Sequence, residues 1–78
     1  MLRLKLVEIT NSKVVYNYYP ESYVSYGTIV IDITNAEVLS VTIAKDDTFE
    51  IYMNHAISKV EEFVKNNDYP EEQTVAWY

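Results

Sequence analysis

Along the first 45 residues apolar and polar positions alternate with a period near two, and from Phe49 the period changes to that of a helix. Leu2, Leu4 and Leu6 alternate with Arg3 and Lys5, which predicts a first strand over 2–9. Asn11 and Ser12 supply a turn. Lys13 to Tyr19, rich in β-branched and aromatic residues, predicts a second strand stopped by Pro20. Of its two side-chain sets, Val14, Tyr16 and Tyr18 are assigned inward. A loop follows, and the third strand, over 27–34, sends Ile29, Ile31 and Ile33 one way and Thr28, Val30 and Asp32 the other. Asn35, Ala36 and Glu37 form the next turn. A fourth strand over 38–45 is expected to place Leu39, Val41 and Ile43 inward and Ser40, Thr42 and Ala44 outward. Links this short make consecutive strands hairpins, so the strands form an antiparallel meander.

Phe49, Tyr52, Met53, Ala56, Ile57, Val60, Phe63 and Val64 then fall on one stripe of an α-helix. Asp47 is the expected N-cap, with Glu50 three residues on as in a capping box, its charge suited to the first turn. Glu61 and Lys65 make a favourable i, i+4 pair. Asn66 and Asn67 provide a stop, since asparagine tolerates the left-handed conformation that ends helices, and Pro70 bars simple continuation. Residues 69–78 read as a short aromatic tail. The expected fold is therefore a single small α+β domain over 1–78: a four-stranded antiparallel meander (ββββ), then one C-terminal helix packed on one face of the sheet. Arg3, Lys5, Thr28, Asp32, Ser40 and Thr42 would make the other face wet.

With 78 residues the core is small and the stability margin thin. The chain has no cysteine, which rules out disulfides, thiolate metal sites and a cysteine nucleophile, and favours a reducing, cytoplasmic setting. Arg3 and Lys5 interrupt the apolar positions at the start, so no signal peptide is read there, and no apolar run approaches the roughly 20 residues of a membrane helix. Net charge is −6, and all of that excess lies from Asp46 onward, where eight acids face Lys59 and Lys65. Such a surface repels nucleic-acid backbones, whose affinity comes largely from lysine and arginine. It suits solubility, or a basic partner.

Catalytic signals are weak. His55 is the only histidine and is expected to project off the buried stripe, without a nucleophile and orienting carboxylate placed for it. One histidine also makes no metal motif. Asp46, Asp47 and Glu50 fit helix capping better than a cation loop, and a single glycine, Gly27, cannot build a phosphate loop. No enzyme activity, metal or cofactor is expected.

Aromatic residues stand out instead. Of the eight tyrosines, Tyr16, Tyr18, Tyr19, Tyr23 and Tyr26 crowd the second strand and its loop, and Tyr69 and Tyr78 the tail. Aromatics enlarge a small core, and they also dominate interface hot spots. Tyr19, Tyr23, Tyr26, Trp77 and Tyr78, with the acids Glu61 and Glu62 on the helix, form the candidate interaction surface. Trp77 is expected to pack back on this domain or on another copy. The order of four antiparallel strands and a helix resembles the whirly type of single-stranded-DNA-binding module. That resemblance implies dimers that bind through basic and stacked aromatic residues on the sheet; Arg3, Lys5 and Lys13 would be the basic ones here. Against the charge of −6, the expectation is a non-catalytic protein-interaction module, homodimeric or with a protein partner, with nucleic-acid binding as the alternative. In a variant of the first reading, the acidic helix face mimics nucleic acid toward a basic protein.

Overall fold

The computed structural model describes residues 2–20, 25–45, 47 and 50–76. Among these, five strands and one helix follow one another as β1 (Leu2–Ile9), β2 (Lys13–Tyr19), β3 (Gly27–Asp32), β4 (Val38–Thr42), α1 (Ile51–Asn66) and β5 (Glu72–Val75). The sheet is antiparallel throughout, in the order β4-β3-β2-β1-β5. The meander and the covering helix are thus as the alternation predicts, and the class is α+β. The segment read as a tail instead returns along β1 as a fifth strand, Leu2 opposite Val75 and Lys5 opposite Glu72.

Hydrophobic burial explains which face the helix covers. Leu2 and Leu4, Val14, Tyr16 and Tyr18, and Ile29 and Ile31 are all buried beneath Ala56, Val60 and Phe63 of α1. The inward set assigned to β2 holds. Two bulges break the period of two elsewhere. Leu6 faces Tyr16 but Glu8 faces Val15, so Val7 is an extra residue in β1. Ser40 faces Val30 while Val38 faces Ile31, so Leu39 is the extra residue in β4. The expected inward placement of Leu39 and Ile43 fails: Leu39, the bulge residue, is 53% exposed, and Ile43, past the end of β4 at Thr42, is 45% exposed. Ala44, expected outward, is buried. Only Val41 of the inward trio stays half-buried, opposite Ile29.

The two turns between hairpins use their polar side chains. The Thr10 hydroxyl accepts from the backbone N–H of Ser12 and Lys13, at 3.3 and 3.1 Å. After β3, Asp32 accepts from the Thr34 N–H at 2.8 Å and Asn35 from the Glu37 N–H at 3.0 Å, while Ala36 takes the left-handed conformation at φ 60°. The Thr34 hydroxyl and N–H together hold the half-buried Asp32 carboxyl below its usual range.

Helix α1 begins later than the stripe suggests. Glu50, not Asp47, is the residue before the first turn; its φ of 60° is left-handed, it makes no side-chain cap, and no acid lies in the first turn. At the other end Asn67 is left-handed as expected, with φ 51°. Its N–H reaches the Val64 carbonyl and that of Asp68 the Phe63 carbonyl, a Schellman arrangement that satisfies carbonyls the helix leaves open. Phe49 of the expected stripe lies outside the described residues. An ion pair on the helix joins Lys59 to Glu62, at 3.2 Å.

Candidate functional site

Two tyrosines of β2 fasten the two ends of the helical crossover. Successive inward positions on a strand lie about 6.6 Å apart, enough for Tyr16 and Tyr18 to reach different ends of one connection. The Tyr18 hydroxyl donates to Asp47 Oδ2 at 3.0 Å and accepts from the Ala44 N–H at 2.9 Å. Asp47, only 4% exposed, accepts in addition from the N–H groups of Tyr52 and Met53, at 3.1 and 2.7 Å. It caps α1 as the sequence suggests, but from outside the helix boundary, across the turn that Glu50 makes. At the far end the Tyr16 hydroxyl donates to the Pro70 carbonyl at 2.7 Å, and its ring packs on Phe63 with centroids 5.4 Å apart. Burial, above all, pushes both phenols up to about 12. Asp47 has its oxygens committed to three donors, so this cluster is a clasp. Gly27 makes it possible: a Cβ there would overlap the Tyr18 ring and the Thr42 carbonyl.

The clasp leaves two surfaces unused. One is the sheet face away from α1. There the rings of Tyr19 and Tyr26 lie 5.5 Å apart, Lys5 Nζ sits 5.5 Å above the Tyr19 ring, Thr28 donates to Asn17 Oδ1 at 2.9 Å, and Arg3 pairs with Glu72 at 3.6 Å. The other is the β4 edge. Val38 is 42% exposed, Leu39 and Ile43 are more so, and Ile51 is exposed at the helix start that Asp47 ties to the end of β4. Between Glu37 and Lys45 the chain carries no charge.

The expected site residues divide accordingly. Tyr19 and Tyr26 come together on the open face, Tyr26 exposed and Tyr19 half-buried. Glu61 and Glu62 stand in the other layer, on α1, half-buried and exposed respectively, with Glu62 paired to Lys59. Tyr23, Trp77 and Tyr78 lie outside the described residues. His55 is half-buried on α1. Among the described residues no group of acids, histidines or cysteines is placed to hold a metal ion, and no helix is long and apolar enough to cross a membrane. A shallow groove of ≈ 480 Å³ follows β1 past the end of β5, with Leu6, Val7 and Ile9 on its floor and Glu8, Glu71 and Glu72 about it. An open meander implies exposed sheet edges from the sequence alone, but not which edge is free; the strand order makes β4 one of them, and it carries no charge. Compared with protein-family models, with curated proteins and with solved structures, the chain matches none.

Proposed function

We propose that this chain is a small, non-catalytic, cytoplasmic interaction module that works as a homodimer through its β4 edge. The observation that carries the reading is the uncharged strand Val38–Thr42, with Val38, Leu39 and Ile43 exposed along it. Unpaired strand edges bind other strands unless charge, proline, a bulge, short length or a covering element guards them, and on β4 the stretch clear of the bulge is Ser40–Thr42. The bulge at Leu39 bends this edge but adds no charge. Five of the acids, Glu61, Glu62, Asp68, Glu71 and Glu72, lie on the helix and beyond it, away from β4, and Asp47 is buried in the clasp, while Glu37 and Glu50 stand exposed at either end of this edge. The absence of cysteine supports a reducing compartment.

Sedimentation and native mass across a concentration series test this. Wild type is expected to pass from monomer to dimer near micromolar concentration, in keeping with an interface at the small end of the range. Leu39→Lys, an exposed position, should keep the fold and weaken association at least tenfold. A wild type that stays monomeric at hundreds of micromolar would end this reading.

A second reading has its own observation, the Lys5–Tyr19–Tyr26 group on the open face, which has the parts of a stacking platform for single-stranded nucleic acid. It requires salt-sensitive binding of a short oligonucleotide that Tyr19→Ala abolishes.

A further inference from the structure

We infer that Tyr19 and Tyr26 are a modification site, at which hydrogen peroxide and a haem peroxidase join the two rings as dityrosine. The inference does not depend on the homodimer reading. The pairing of β2 with β3 runs to Tyr18 opposite Gly27, and the same register carried one step further sets Tyr19 across from Tyr26. Strand pairing therefore holds the two side chains together on the open face, with ring centroids 5.5 Å apart and planes at 40°.

Access singles out this pair. Tyr26 is 53% exposed, so an oxidant reaches it from solvent, and the half-buried Tyr19 lies against it. Tyr16 and Tyr18 are fully buried, with their hydroxyls donated to the Pro70 carbonyl and to Asp47. Tyr52 and Tyr69 are half-buried, on α1 and just past its end. In the reaction each phenol gives up one electron and one proton. The two phenoxyl radicals then couple between ring carbons next to their hydroxyls, and one carbon–carbon bond forms. Each coupled carbon loses its hydrogen as a proton while each oxygen regains one, which restores both aromatic rings. The two electrons and two protons released reduce one hydrogen peroxide to two waters at the peroxidase. Opposed radicals couple within the chain before a second chain arrives, because their encounter is already made. The bond closes residues 19–26 into a loop at the end of the β2–β3 hairpin, in a chain with no cysteine to make a disulfide. Thiols do not reverse it, so it would persist in a reducing setting.

The test is treatment of the chain, at low micromolar concentration, with hydrogen peroxide and a haem peroxidase. Expected are the blue fluorescence of dityrosine, a chain lighter by two hydrogen atoms, and a monomer band under denaturing conditions. Cleavage after Glu8, Glu21 and Glu37 should leave segments 9–21 and 22–37 joined. Tyr19→Phe and Tyr26→Phe, which keep the rings, should each lower the fluorescence at least tenfold. Tyr23→Phe, in the same segment as Tyr26, should leave it unchanged. The linked chain should also unfold at a higher denaturant concentration, since the bond restricts the unfolded chain. Absence of dityrosine, fluorescence that survives either of the first two variants, or fluorescence lost in Tyr23→Phe overturns the site. So does a link found only in covalent dimers, or one that lowers the unfolding midpoint.

Discussion

The two edges of this sheet are made differently. The β5 edge is four residues long, carries Glu72, and is approached through Glu71 and Pro70. It was added last, by a chain returning from the helix, and Tyr16 holds its approach through the Pro70 carbonyl. Beside it the free half of β1 exposes Val7 and Ile9 in a groove lined by Glu8, Glu71 and Glu72 and by Lys5, with Glu72 also paired to Arg3. The β4 edge has the opposite character: no charge from Val38 to Ala44, exposed aliphatic side chains, and a clasp at its end through Ala44, Tyr18 and Asp47. On the homodimer proposal, the acidic groups disfavour a second copy at one edge and the neutral edge is the one left to accept it.

The hardest way to break this asymmetry is to remove the clasp. Asp47→Ala strips the acceptor from the N–H groups of Tyr52 and Met53 and from the Tyr18 hydroxyl. Buried donors without acceptors cost about 1–3 kcal/mol each, so a loss of about 3 kcal/mol in total is expected after partial relaxation. Chemical denaturation measures the total. Hydrogen exchange should show the damage on one side, with protection falling at Ala44 and the first turn of α1 more than at β5. Equal loss on both edges would mean that Asp47 supports the domain as a whole and not the β4 side.

Much of the inner layer was legible from the sequence, because burial imposes a period that survives in the residues. Val14, Tyr16 and Tyr18 and Ile29 and Ile31 alternate without interruption, and all are buried. What was not legible are the places where geometry breaks the period. A bulge adds a residue without any mark in composition, so Leu39 was assigned to the wrong environment, and Ile43 was because β4 stops at Thr42, short of the expected 45. The apolar stripe of α1 extends back to Phe49 in the sequence, yet the left-handed backbone at Glu50 starts the helix at Ile51. Strand β5, Glu-Gln-Thr-Val, has one apolar residue and no pattern of its own; its pairing with β1 makes it a strand. Of the candidate surface, the Tyr19–Tyr26 pair was visible as composition, whereas the edge needed the strand order.

Alkaline pH probes both sides at once and comes next in size. Tyr16 and Tyr18 are pushed up to about 12 in the fold from the usual 10. The neutral phenol is the form the core holds, so the stability tied to it is complete below pH 10 and is lost as pH rises through 12. Stability measured by denaturation should be flat below about pH 10 and fall between about pH 10 and 12. Tyr18→Phe and Tyr16→Phe should each flatten part of that fall. If the phenol of Tyr18, next to Asp47, lets go first, the β4 end opens before the β5 end, which exchange at Ala44 against Val75 would show.

The smallest effect sharpens the comparison by strengthening the β4 side. Ala36, in the turn that feeds β4, holds a left-handed backbone at φ 60°, where a Cβ crowds the neighbouring carbonyl at a cost of roughly 1 kcal/mol. Glycine takes that conformation without the clash, although it gains freedom in the unfolded chain, so Ala36→Gly should stabilise by no more than about 1 kcal/mol. Ala36→Asn would keep a side chain and tolerate the conformation, with a similar gain. The gain should appear in denaturation midpoints at a concentration where the protein is monomeric. Association should not weaken, because the turn lies outside the uncharged stretch from Val38 to Ala44. If instead Ala36→Gly loosened the dimer while raising stability, the turn would be part of the contact, and the edge would extend beyond Glu37.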